Sequence, residues 1–420
     1  MTDLDSRQAR PAESSAAVAS DRPAGMLSGR HEVGPQAVRY GPGALDRLDV
    51  ELDRLGARRI FLISTGSVRR SPLYERVTRL LADRCVGAFS AFVQHMPAHV
   101  ADKLLASALD ASPDAVVTLG GGTVTDAGKL VCFALGAGLR EVSELESWQP
   151  AFRPDFLPTY DQIEAYPPLV SIPTTLSAGE YTGGFAITRD GVKTGNVDMR
   201  LMPRVVILDP EQAAYTPEWL WASTGVRAMD HAVESFIAKR TSPHCDATSV
   251  MAAQMLFENL APATRNPEDL ERRTACLVAA WLSNDGHHNS GAGLSHAIGH
   301  QLGGMFDVPH GVTSCISLAP VSALLAGRAT ARTAEFSRRV GLATRAQPDR
   351  EAANALPAAI RAFVEGLPVP NRLRDAGVSK DALEQNLPAL AHNILTKTTA
   401  KFSAITVSEA ELQDLLRAAW

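Results

Sequence analysis

The chain has 420 residues, of which 45% are hydrophobic and 21% charged, with a formal net charge of −5 and five cysteines. This balance fits a globular protein of two or three domains and excludes the basic excess of a nucleic-acid binder or an anionic-membrane binder. Cys85, Cys132, Cys245, Cys276 and Cys315 stand singly, with no CxxC pair; this argues against a complete disulfide framework and leads us to expect a reducing, cytoplasmic setting.

Residues 1–30 are rich in Ala, Ser, Arg, Asp and Pro, lack the apolar core of a secretory signal, and read as a disordered tail. From Val38 to Asp209, short apolar runs alternate with helical stretches. The runs are 59–64 (RIFLIS), 115–119 (AVVTL), 169–172 (LVSI) and 205–208 (VVIL), with helices expected over Leu73–Asp83 and Ala101–Ser112. Such alternation predicts a parallel sheet with helices on both faces. Residues 142–168, rich in Pro and aromatics, form a long connection of the kind that serves as a lid or partner contact. After Pro210 strand signals vanish and Ala/Leu-rich amphipathic stretches take over. We therefore expect an α/β domain over 31–210 and an all-α domain over 211–420, with no internal repeat and no segment of membrane-spanning length and apolarity.

Two loops of the first half carry chemistry. Strand 115–119 runs into GGGTVTDAGK (120–129), where glycines admit a pyrophosphate close to the backbone and the next helix offers free N–H groups at its positive end. A tight turn is the plainer reading of the glycines alone, and a helix cap the plainer reading of Asp126. Strand 169–172 is followed by PTTLSAGEYT (173–182), hydroxyls at the carboxyl end of a strand, where ligands bind in open α/β sheets or an ordinary polar turn sits. After strand 59–64 stand Thr65-Gly66-Ser67-Val68-Arg69-Arg70, with no carboxylate to repel a 2′-phosphate. NADPH should be tolerated beside NADH, unless the two arginines are simply solvated.

The second half holds AGLSHAIGHQLGGMFDVPHG (292–311). His296 and His300 share one helical face at i and i+4, and His310 returns after a Gly-Gly bend. Grouped imidazoles serve metal binding or proton transfer, whereas a single one is more often packed or capping.

GGGTVTDAGK, PTTLSAGEYT, LMPRVVILDP, STGVRAMDHAVE and GLSHAIGHQLGGMFDVPHG stand in the order and spacing of the iron-containing alcohol dehydrogenase superfamily, over roughly 31–330. Within it the chain is most similar to maleylacetate reductases, which reduce maleylacetate to 3-oxoadipate. The resemblance implies a Rossmann-like, dehydroquinate-synthase-like α/β half that binds NADH or NADPH, a helical catalytic half, an active site between them, and a homodimer. It carries the pyrophosphate loop onto Gly120, Gly121, Gly122 and Thr123, and further cofactor contacts onto Thr65, Asp126, Thr174, Thr175 and Ser177. Its metal-site histidines match His231, His296 and His310, and His300 matches a histidine near nicotinamide and substrate.

One position departs. Metal-dependent members carry Asp-x-x-x-His on the first helix of the second half; here Arg227 precedes His231. A guanidinium offers no lone pair to a metal, and at 4 Å and an effective dielectric near 20 it repels each unit of positive charge by about 4 kcal/mol. Asp230, one position from His231, points about 100° away around the helix. Maleylacetate reductases also lack the Asp and are regarded as metal-independent. We therefore expect no metal, with His231, His296 and His310 as ligands if one binds. Arg227 either faces solvent paired with Asp230 or Glu234, or replaces the metal as electrophile for an anionic oxo acid. His300 would relay the proton. The alternatives are a metal-dependent (Fe or Zn) alcohol dehydrogenase, a dehydroquinate-synthase-like cyclase or lyase, and a nicotinamide-binding protein without catalysis.

Overall fold

The computed structural model describes residues 36–92, 96–148, 159–189, 192–285, 287–396 and 399–420. These belong to one compact unit, His31–Trp420. The tail expected over 1–30 and the middle of the 142–168 connection lie outside the described residues.

Six strands form one parallel sheet: β1 (Ala37–Tyr40), β2 (Ile60–Ser64), β3 (Cys85–Phe89), β4 (Ala115–Gly120), β5 (Leu169–Pro173) and, after a hairpin, β8 (Val205–Leu208), in the order β1-β8-β5-β4-β2-β3. The antiparallel hairpin is β6 (Gly184–Arg189) with β7 (Val192–Val197). Around the sheet lie α1 (Leu48–Arg54), α2 (Gly66–Arg69), α3 (Pro72–Leu81), α4 (Ala98–Ala111) and α5 (Gly122–Ala137). Every residue of β2, β4, β5 and β8 is buried. Covered on both faces, these strands read as unbroken apolar runs, which is why sequence finds them. In β2 the period of two sends Ile60 and Leu62 into one core and Phe61 and Ile63 into the other. The edge strands β1 and β3 are only partly buried and carry no such run.

Strand order fixes where a ligand can sit. From β4 the chain proceeds to β5 and β8 on one side, while β2 and β3 lie on the other. The order therefore reverses between β2 and β4, where the carboxyl ends of open α/β sheets bind ligands. The loops leaving the adjacent strands β5, β4 and β2 begin at Thr174, Gly121 and Thr65.

From Pro210 the described chain is helical: α6 (Pro210–Ala213), α7 (Glu218–Ile237), α8 (Pro243–Arg265), α9 (Leu270–Asp285), α10 (His287–Ser290), α11 (Leu294–Phe306), α12 (His310–Arg328), α13 (Thr330–Arg339), α14 (Asp349–Glu365), α15 (Lys380–Thr396) and α16 (Glu409–Ala418). Each residue of α7 from Trp221 to Ile237 is buried. One sequence expectation is corrected by α12: its 19 residues, at mean hydropathy 1.3, are long and apolar enough to cross a membrane, but 72% of that window is buried inside the protein. Its apolarity is that of a core helix.

The described residues 159–168 of the 142–168 connection pack on the α/β half. Tyr160 and Tyr166 pack on Phe133, with ring centroids 4.9 and 6.0 Å away. Arg200 donates to Tyr160 O and Ile163 O, both at 2.8 Å, and pairs with Asp198.

Helix α5 is tied to the loop after β5 by Lys129. Its fully buried ammonium donates to Gly179 O and Gly184 O at 2.7 Å and to Thr182 Oγ1 at 3.2 Å. Burial lowers the Lys129 pKa, opposed by Asp126. Beside it Glu180 is buried with Oε2 unpartnered, and burial raises its pKa from 4.5 to about 7. The folded form thus holds the Glu180 proton more tightly than the unfolded chain. The resulting stability is complete below pH 4.5 and is lost as pH rises through 7, a change of about 3 kcal/mol at about 1.4 kcal/mol per pH unit. Glu180→Gln should remove this dependence. Urea unfolding across this range should show wild type losing stability relative to the variant; parallel curves would contradict it.

Candidate active site

The glycine loop presents backbone alone. Gly121 is the N-cap of α5, no side chain caps the helix, and the N–H groups of Val124 and Thr125 both turn back to Gly121 O. A Cβ on Gly121 would lie 3.1 Å from the Thr175 side chain, and one on Gly122 would lie 3.1 Å from Ser177 Oγ. Glycine thus lets the two loops close on each other at a helix start, which fits a dinucleotide pyrophosphate. Thr123 lies in the first turn of α5. Thr174 N–H donates to Gly120 O at 3.0 Å, continuing the β4–β5 pairing, and Thr175 Oγ1 donates to Ser177 Oγ at 3.1 Å. Thr65 caps α2 by accepting from Val68 N–H at 3.3 Å. Arg69 and Arg70 are exposed beside it, and Arg69 donates to Ser90 Oγ at 3.0 Å. Asp126 stands in the second turn of α5, where it cannot cap the helix, and pairs with Lys129 at 3.4 Å.

The loop after β5 joins sheet and helices through contacts that sequence did not single out. Thr216 Oγ1 donates to Thr174 O at 2.5 Å, Thr224 Oγ1 accepts from Leu176 N–H at 3.1 Å, and Asn284 Nδ2 donates to Ala178 O at 2.6 Å. Thr224 lies on α7 three residues before Arg227.

Arg227, Asp230, His231 and Glu234 follow at i, i+3, i+4 and i+7, so α7 carries a polar stripe through a buried environment. Glu234 satisfies the start of α11: its carboxylate accepts the N–H groups of Gly293 at 2.9 Å and Ser295 at 2.6 Å, and His296 Nδ1–H at 2.7 Å. Any side chain at Gly293 would obstruct this, since its Cβ would lie 2.6 Å from Glu234 Oε1. Asp230 accepts from Ser295 Oγ at 2.8 Å and Ser314 Oγ at 2.6 Å, and stands 3.7 Å from Arg227 Nη1. Arg227, 9% exposed, also donates to Ser314 Oγ at 3.1 Å. It is therefore a buried charge, and the solvent-facing reading of it is wrong.

Burial pushes Asp230 up and Glu234 up to about 8, the Asp230 charge adding to the latter, and lowers Arg227 against the pull of both carboxylates. Burial also holds His231 and His296 well below the usual imidazole range, with the Arg227 charge acting the same way. Both rings are thus neutral, the form that binds metal.

The histidines divide into two groups. His231, His287 and His296 bring ligand atoms within 4.8 Å of one another, and their ring centroids are 4.8 to 5.0 Å apart. His231 Nδ1 and His296 Nε2 are buried with no hydrogen-bond partner. His310 is outside this group and instead sits edge-on to His300, centroids 5.6 Å apart. His300 is exposed. Sequence inspection missed His287, because it lies on another short helix and shares no helical spacing with the motif; its adjacency to His288 in GHHNS was the available signal.

Two family profiles cover the chain: "Iron-containing alcohol dehydrogenase" over residues 35–210 and "Fe-containing alcohol dehydrogenase family, C-terminal" over 221–420. The chain belongs to the iron-containing alcohol dehydrogenase family. Members are NAD(P)-dependent oxidoreductases, and this chain is an enzyme of that class. It is 31% identical to a maleylacetate reductase of Burkholderia cepacia over 73% of this chain and 78% of that protein. It is 25% identical to an NAD-dependent methanol dehydrogenase of Bacillus methanolicus over 88% and 96%. Among solved structures, a 1,3-propanediol oxidoreductase superposes with TM-score 0.83 at 25% identity, covering 93% of this chain and 100% of that one. Maleylacetate reductase from Agrobacterium tumefaciens gives 0.76 at 25%, covering 94% and 99%. The family does not support the expectation that no metal binds. Asp230, buried 3.7 Å from Arg227 Nη1, offsets the guanidinium's repulsion of a cation.

Two variants test the site. Gly121→Val should weaken NAD(P)H binding at least about tenfold, or about 1.4 kcal/mol, because the new side chain meets Thr175 and fills the helix start; an unchanged fluorescence titration would refute the loop assignment. Arg227→Ala should lower unfolding stability by about 3 kcal/mol or more by leaving Asp230 buried and uncompensated. A denaturation midpoint equal to wild type would show that Arg227 does not neutralise this cluster.

Proposed function

We propose that this enzyme transfers hydride between NAD(P)H and a carbonyl compound at a site that holds a divalent metal ion. The observation that carries this reading is the His231, His287, His296 group, with ligand atoms within 4.8 Å and two buried, unpartnered ring nitrogens. An unmade hydrogen bond at a buried polar atom costs about 1–3 kcal/mol, and a bound cation would remove that cost. When bound, NAD(P)H supplies the hydride and the ion supplies Lewis-acid polarisation of the substrate oxygen.

The chain's own residues do the positioning. Gly120, Gly121, Gly122 and Thr123 seat the pyrophosphate, with Thr175 and Ser177 against them. Glu234 holds His296 Nδ1–H, which fixes the tautomer and leaves Nε2 for the metal. His300, exposed and beside His310, passes a proton in from solvent to the product oxygen. For an unsaturated oxo acid, hydride at one alkene carbon and a proton, taken up through the enol oxygen, at the other saturate the C=C bond and keep the oxo group. For an aldehyde, hydride at the carbonyl carbon and a proton at its oxygen give the alcohol; either leaves NAD(P)⁺. Arg227 acts on Asp230 and Ser314, so its role is to neutralise the stripe rather than to grip a substrate carboxylate.

For substrate we favour an oxo acid, on the identity to maleylacetate reductases. A primary alcohol and its aldehyde form the second reading, because methanol and 1-propanol dehydrogenases align over 88% and 90% of this chain. A panel of oxo acids, aldehydes and alcohols, followed by nicotinamide absorbance, separates them. An oxo acid should give the highest kcat/KM; a better alcohol–aldehyde pair selects the second reading. Chelation should reduce turnover at least about tenfold, equal to about 1.4 kcal/mol in the barrier, with recovery on adding Zn²⁺ or Fe²⁺. Full activity of metal-free protein would overturn the metal and restore the metal-independent route.

A further inference from the structure

We infer that Asn284 is a positioning residue for the cofactor. From the last turn of α9 it holds Ala178 in a left-handed backbone conformation that seats the loop after β5 against the glycine loop. The inference rests on the reading that NAD(P)H binds at residues 120–123, and adds to that site a residue of the helical half.

Ala178 is buried with φ 58 and ψ 19, a region that an L side chain enters only at a cost. Both of its neighbours meet the same glycine. A Cβ on Gly122 would lie 3.1 Å from Ser177 Oγ, and one on Gly179 would lie 3.6 Å from Gly122 Cα. Ser177 also accepts from Thr175 Oγ1 at 3.1 Å. The bend at Ala178 thus presents both hydroxyls to the start of α5, where backbone alone faces the pyrophosphate.

Two hydrogen bonds meet at Ala178 O. Tyr181 N–H donates at 3.2 Å from within the turn itself, and Asn284 Nδ2 donates at 2.6 Å from α9. Lys129 holds the next carbonyl, Gly179 O, at 2.7 Å. Asn284 is itself buried, and its Oδ1 has no hydrogen-bond partner. A half-satisfied amide in the interior is a poor source of stability, since the orphaned oxygen has lost its water. What Asn284 supplies is the conformation of Ala178. Fixing a strained loop before the ligand arrives lowers the ordering cost of binding.

NADH and NADPH fluorescence titrations of the full-length protein test this. Asn284→Ala should weaken binding at least about tenfold, and Asn284→Leu, closer in shape, should do the same. Glycine adopts the left-handed conformation without strain. In an Ala178→Gly background the same two substitutions should therefore weaken binding no more than about threefold relative to that background. Circular dichroism and urea unfolding confirm that each variant is folded. Wild-type affinity in both folded Asn284 variants overturns the inference. So does an equal loss in the Ala178→Gly background, which would mark a general packing defect. Neither of these outcomes touches the cofactor site, whereas no binding of NADH or NADPH by wild type overturns the cofactor reading as well.

Discussion

The helical half depends on one constraint: four ionisable side chains on a helix with no access to water. Arg227, Asp230, His231 and Glu234 line one face of α7, and every residue of that helix from Trp221 to Ile237 is buried. Buried charge is tolerated only when paired and hydrogen-bonded. Beyond the Arg227–Asp230 pair, the hydrogen-bond partners come from outside α7: Ser314 from α12, Ser295 and His296 from α11, and the backbone amides at the start of α11. Satisfying the stripe therefore fixes where α11 and α12 stand. Glu234 does most, since one carboxylate both caps a helix and orients an imidazole.

The sheet supplies the complementary constraint. Parallel pairing of β4 with β5 puts Gly120 opposite Pro173, so the loops that follow are neighbours by register. Gly121 and Gly122 then allow Thr175 and Ser177 to approach within contact distance. The same loop reaches α7 through Thr224 and α9 through Asn284. The glycine loop and the α7 stripe are in this way joined by one short segment, residues 174–182, whose own position is secured by the buried Lys129.

Family membership and site geometry address different questions. The family shows an NAD(P)-dependent oxidoreductase. It does not decide the role of Arg227, because the substitution that removes a metal-ligand carboxylate also introduces a charge. Geometry bears on that point: the guanidinium faces Asp230 and Ser314, while Glu234, further along the stripe, pairs with His296.

What the sequence determined by itself follows from periodicity and local chemistry. Largely apolar runs marked β2, β4, β5 and β8, because strands covered on both faces favour apolar residues, with only Ser64, Thr118 and Ser171 buried among them as hydroxyls. The glycine run after β4 marked the strand-to-helix turn at the start of α5, and i, i+4 spacing put His296 and His300 on one helix. Edge strands β1 and β3 escaped because half-covered strands carry mixed residues. What only the tertiary structure decided is which side chains share a volume when they are far apart in sequence. His287 joins His231 and His296 while His310 turns to His300, and Arg227 is buried against Asp230 rather than solvated. Helical spacing relates residues within one helix; the packing of α7, α10, α11 and α12 relates residues on four, and that arrangement is set by the summed burial of all of them.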